Sequence, residues 1–194
     1  MTRAARRAAT AAAALGLAVL VSGCSGDSDG SADPGSTSSA SAEHAVETQV
    51  TWGKVTGTLP PDAREQVIAT VGDLVDGWTE AAYLGGDYPR QDFSDAWPGF
   101  TPGAAQEAHG DRALMSNEDI GTRIDGVEPH KSTVRIDVLA VKQQPVGITA
   151  HVFLGFATTG DLEREVRVTG RLFLTPTPQG WKVFAYDVTK GAAR

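Results

Sequence analysis

A chain of 194 residues with 24 acidic and 17 basic side chains carries a formal charge of −7 and offers no basic excess to displace the counterions of nucleic acid. Its single cysteine excludes an internal disulfide, and its place near the N-terminus excludes thiol catalysis and cysteine-bound metal in the body of the chain. The body therefore relies on its core alone, and its roughly 145 residues are a common size for one domain.

The first residues have three parts. Arg3, Arg6 and Arg7 make a positive start, an apolar run extends from Ala8 to Val21, and the small residues Ser22 and Gly23 precede Cys24. This pattern predicts a secretory signal peptide over residues 1–23. The run is too short for a membrane span, which needs about 20 apolar residues. Removing the three signal arginines leaves 14 basic against 24 acidic residues, a formal −10.

Val21-Ser22-Gly23-Cys24 resembles a bacterial lipobox, in which an aliphatic and two small residues precede a lipid-bearing cysteine. The resemblance implies cleavage between Gly23 and Cys24, diacylglycerol on the Cys24 sulfur and acylation of the new amino group. Two or more acyl chains are what stable anchoring takes, since one chain holds only marginally. The expected location is the extracytoplasmic side of the cell membrane. The adjacent Arg6-Arg7 pair is a weak pointer to twin-arginine export.

Residues 24–47 hold the lipidated cysteine and a Ser/Gly/Asp-rich tether with almost nothing to bury, so the tether is expected to be disordered. Such a coil would hold domain and membrane about 25–30 Å apart on average. A single domain is expected over residues 48–194.

Val50 to Leu59 is β-like, a short edge strand or an ordered arm weakened by Gly53 and Gly57. Pro60-Pro61-Asp62 opens a helix, with Asp62 and Glu65 at capping-box spacing. Val67, Val71, Leu74, Val75, Trp78 and Ala82 make one apolar stripe, and Gly85-Gly86 ends it. Asp87 to Phe100 reads as irregular or a short helix plugged by Phe93, Trp97 and Phe100. Thr101-Pro102 caps another helix running towards Leu114, and Met115 to Asp119 reads as a loop.

Beyond Thr122 the period becomes two. Val134 to Ala140, Ile148 to Phe156, Val166 to Leu174 and Trp181 to Tyr186 alternate apolar with polar residues, and Arg123 to Glu128 is a weaker strand before them. Turns are expected at Pro129 to Ser132, Gln143 to Gly147, Thr159 to Asp161 and Pro176 to Gly180. Short turns between alternating strands predict an antiparallel meander with one buried face. The fold class is α+β: a long N-terminal helix packed on a curved antiparallel sheet.

A helix ending at Tyr83-Leu84-Gly85-Gly86-Asp87, a helical middle and long strands closing on Gly180-Trp181-Lys182-Val183 resemble the cone fold of the nuclear-transport-factor-2-like superfamily. That group includes ketosteroid isomerases, polyketide cyclases and Mce-associated accessory proteins. The resemblance covers Pro60 to Thr189 and is one of layout, without a matching catalytic motif.

An open cone is the default pocket. Tyr83, Asp87 and Tyr88 would line its mouth from the helix end, and Tyr186 and Asp187 from the last strand. A carboxylate there can act as a base and a tyrosine can donate to an oxyanion. The competing reading makes Tyr83 and Tyr186 core-edge residues and Asp87 a turn residue. Of four histidines, His151 draws notice, in mid-strand on the polar face, where a solvated role is the commoner one. The histidine spacings indicate no metal, and no cofactor is implied.

The expected function is a membrane-anchored lipoprotein that binds a small apolar ligand or serves an envelope protein partner without catalysis. The alternative is a cone-fold isomerase, dehydratase or cyclase.

Overall fold

The computed structural model describes residues 46–192. Gly23 and Cys24, the signal peptide, the tether to residue 45 and His44 lie outside the described residues. Among those described, no helix is long and apolar enough to cross a membrane.

The domain is α+β, with a five-stranded mixed sheet that does not close. β1 (Gln49–Thr56) leads into α1 (Pro61–Thr79), which continues as a π-helical turn, Glu80–Leu84. α2 (Pro102–Gly110) and the short α3 (Arg112–Met115) follow. Then β2 (Gly126–Val141), β3 (Gln144–Thr159), β4 (Arg164–Thr177) and β5 (Gly180–Ala192) lie side by side in sequence order.

β2 to β5 pair antiparallel, as the alternation requires. The sheet as a whole is not antiparallel, because β1 joins β2 in parallel, from Gln49 opposite Thr133 to Thr56 opposite Leu139. The partners lie more than 80 residues apart, and the intervening helices provide the crossover that a parallel pair needs. A bulge between Trp52 and Val55 brings Gly53 against β2, where an added Cβ would lie 2.0 Å from Asp137 Oδ1.

The expected turn at Pro129 to Ser132 is absent. β2 runs straight through it, Pro129 pairs with Phe156, and His130 is accommodated in a bulge before Lys131. β1 does not reach this part of β2, which is therefore an edge, where a strand tolerates a proline. The next turn is tighter than expected, with Lys142 (φ 51) and Gln143 (φ 64) both left-handed, the geometry of a two-residue hairpin.

α1 begins two residues earlier than a capping box at Asp62 needs. Pro60 is its cap and Asp62 lies inside the first turn, where a carboxylate complements the helix dipole. At the other end Arg90 Nη1 donates to Ala81 O at 2.8 Å and Gly85 O at 3.0 Å, closing carbonyls that the helix leaves open. Thr101 caps α2 as expected, accepting from Ala104 N.

Val67, Val71, Val75 and Trp78 of α1 are buried in the main core, with Ile136 and Val138 of β2, Ala150 and Phe156 of β3, and Leu172 of β4. Trp78, Tyr83, Phe100 and Phe156 form a chain of ring contacts, with centroids 5.5 to 6.2 Å apart. Met115, Ser116 and Asn117, expected in a loop, are fully buried beneath the end of α1.

Candidate functional site

The four residues singled out in the domain fall in three places. Tyr83 lies in the π-helical turn, fully buried, and donates its hydroxyl to Leu114 O at 2.8 Å. Tyr186 faces the same side of the sheet from β5, next to Phe100, and donates to Asp111 Oδ2 at 2.8 Å. Asp87 is exposed in the bend after Gly86. His151 is on the opposite face of the sheet. Both tyrosine hydroxyls are thus already spent on protein acceptors.

Around Tyr83 lies a cluster in which Tyr88 is joined by Asn117 and Lys190, two residues that the sequence did not bring to notice. Tyr88 donates its hydroxyl to Tyr83 O at 2.9 Å, and Asn117 Nδ2 donates to the same carbonyl at 2.9 Å. Lys190 of β5 enters from the sheet. Its side chain is 4% exposed, and Nζ donates to Ser116 O (2.7 Å), Ala113 O (3.1 Å) and Asp119 Oδ1 (2.6 Å). It also lies 5.9 Å from the centre of the Tyr83 ring. Lys190 shares strand parity with Tyr186 and Val188, so a lysine in a row of inward positions was the signal that could have found it.

Burial lowers the Lys190 ammonium from its ordinary value against the pull of Asp119, and burial raises Tyr83 and Tyr88 above theirs. Tyr186 is raised by burial and by Asp111. A tyrosine whose folded value is raised keeps its full contribution to stability below its unfolded value of 10.0 and loses it as pH climbs past that point. The domain is therefore expected to lose thermal stability above about pH 10. Tyr83→Phe should flatten that decline in a melting series from about pH 8 to 11.5. An unchanged slope would remove Tyr83 as its source.

On the outer face, Asp137 collects three donors. These are Lys54 N at 2.7 Å, Arg135 Nη1 at 2.9 Å and His151 Nε2 at 2.8 Å. Its carboxyl is held below the usual range, first by the Lys54 N–H. Arg135, His151 and Arg171 form one cross-strand row, with Arg171 paired to Asp187. The His151 ring is thus oriented by a carboxylate, with exposed cations on both neighbouring strands.

Two concavities of about 320 Å³ each open to solvent. One is on the outer face, lined by Lys54, Asp137, Leu139, Thr149, Phe173 and Phe184 among others. The other lies between α1 and the β4–β5 turn, lined by Asp73, Leu74, Pro98, Gln179 and Trp181 among others. Neither contains Tyr83, Asp87, Tyr186 or His151. The space between helix and sheet, where a cone would hold its ligand, is occupied by Trp78, Tyr83, Phe100, Met115 and Phe156. No protein-family model, curated protein or solved structure matches this chain.

Proposed function

We propose that this chain is a lipid-anchored, extracytoplasmic accessory protein of the cell envelope. Its domain would be a filled version of the nuclear-transport-factor-2-like cone, working through its surface. The observation that carries the reading is the occupied interior. Trp78, Tyr83 and Phe156 are each fully buried where an isomerase, dehydratase or cyclase of that layout would need room for substrate. Both Tyr83 and Tyr186 donate to protein acceptors instead of facing an empty volume. The anchor rests on Val21-Ser22-Gly23-Cys24 at the end of the apolar run.

Two measurements test the two halves of the reading. Cys24→Ser should move nearly all of the protein from the membrane to the soluble fraction of the host. The variant remaining with the membrane in its usual amount would sink the anchor. Native mass spectrometry of the released chain should give bare protein at its sequence mass. A small molecule retained through several gentle preparations would overturn the filled-interior reading and restore ligand binding.

A further inference from the structure

Among the described residues, the four large apolar side chains most open to solvent gather at one end of the sheet. Leu139 is 49% exposed, Val141 51%, Val146 41% and Phe184 50%. Leu139 and Val141 flank the β2–β3 turn on one side and Val146 on the other. Phe184 is the extra residue of a β5 bulge opposite the Phe173–Leu174 step, and its ring lies 6.4 Å from that of Phe173. Lone exposed apolar residues are ordinary, whereas a group around a depression marks a contact surface. The depression is the outer-face concavity of about 320 Å³, roughly ten water volumes, which suits one large side chain.

Apart from Asp137, the charge around it is positive. Lys54, Lys142 and Lys182 stand at this end of the sheet. Asp137, the carboxylate in the lining, is occupied by Lys54 N, Arg135 and His151. This reverses the character of the chain. Residues 61–119 hold twelve carboxylates and three arginines, whereas residues 126–192 hold eight basic side chains and six acidic ones. Within the folded domain the acidity therefore belongs to the helical side.

The chain enters the sheet at Gln49, opposite Thr133, and β1 ends at Thr56, opposite Leu139. A strand rises about 3.3 Å per residue, so the apolar end is on the order of 20–25 Å from the entry point. Gln49, on the side from which the proposed anchor would draw, is thus at the far end of β1 from the patch.

We propose that this end of the outer face docks an acidic segment of another envelope protein, resting on the accessory reading above. One aromatic or branched aliphatic side chain of that segment fills the hollow between Leu139, Phe173 and Phe184. Its carboxylates meet Lys54, Lys142 and Lys182. A hollow takes a protruding anchor better than the flat surface of a bilayer does, and anchors of this kind carry most of the energy of small interfaces. The lysines would speed encounter and select for acidity.

The test uses the mature Cys24→Ser chain, labelled for NMR. It is titrated with a synthetic peptide of about twelve residues rich in Asp and Glu around a central Trp. Saturable amide shifts are expected at residues 139–144, 146, 173 and 184, weakening several-fold between low and physiological salt. Phe184→Ser and the double variant Lys54→Glu/Lys142→Glu should each weaken binding tenfold or more. All of these positions are at the surface, and melting curves should confirm folding near the parent value. Equal shifts from a peptide with Lys in place of its acids, shifts elsewhere, or none at millimolar peptide would overturn the proposal. So would flotation of the chain with phosphatidylglycerol vesicles that Phe184→Ser abolishes, which would hand the surface to the bilayer. A sedimenting dimer that Phe184→Ser disperses would hand it to a second copy. Loss of the lipid anchor alone would show in the fractionation and leave these shifts untouched.

Discussion

Trp78→Ala is expected to cost the domain about 3–5 kcal/mol, the usual range for truncating a buried aromatic. Trp78 sits where α1 meets everything else. It continues the row of Val67, Val71 and Val75, and none of its surface reaches solvent. Its ring meets Tyr83 edge-on at 5.5 Å and Phe100 at 6.1 Å, and Nε1 points to Met115 O at 3.4 Å. Trp97 donates to the same carbonyl at 3.3 Å, so that one acceptor ties two indoles to the end of α3. Removing Trp78 opens a cavity beside Tyr83 and Trp97, whose polar atoms are tied to Leu114 O and Met115 O and resist collapse into it. The melting point should fall by about 10–15 °C for a domain of this size. Trp78→Phe keeps most of the packing and loses the N–H, and should cost about 1–2 kcal/mol. Urea unfolding of the three proteins checks this series. A loss below about 1 kcal/mol for the alanine variant would mean that helix and sheet are not locked through this residue.

Lys190→Met is expected to cost about 2–4 kcal/mol, because it keeps the stem and deletes the donor. Ser116 O and Ala113 O would be left without the ammonium, and Asp119 would lose its cation. Asp119 is partly exposed and can regain water, which limits the loss. A pH signature separates this from a packing defect. Burial lowers Lys190 below its unfolded value of 10.5, so in the window below 10.5 the unfolded chain holds more protons than the folded one. Stability from this group therefore rises with pH across that window, against the decline that the tyrosines bring above about 10. The gap between parent and Lys190→Met should widen from about pH 8 towards 10.5. A constant gap would assign the cost to packing alone.

Periodicity made α1 and the four antiparallel strands legible, since an apolar stripe and an apolar alternation each have one way to be buried. The pairing of β1 was not legible, because its partner lies beyond two helices and nothing local in Val50 to Val55 distinguishes parallel from antiparallel. Pro129 misled for a physical reason. A proline ends a central strand, but at a bulged edge it does not. Tyr83, Asp87, Tyr186 and His151 were selected by side-chain type. Strand parity and helix position assign each a side of the sheet, yet they do not reveal what fills the space between. The outer patch had a trace in Val138-Leu139-Ala140-Val141, where the alternation lapses into four apolar residues, two of them with no core to enter.

The parallel edge strand has a mechanical consequence. If the domain is held at the apolar end of the sheet while the membrane draws on Gln49, the load runs along β1. The ladder from Gln49–Thr133 to Thr56–Leu139 then lies across the line of pull. Its hydrogen bonds share the force in shear, whereas an edge strand peeled from its tip would lose them in succession. Under the proposed anchor and docking, β1, the strand with no buried residue, would thus carry its load in the orientation that best resists traction.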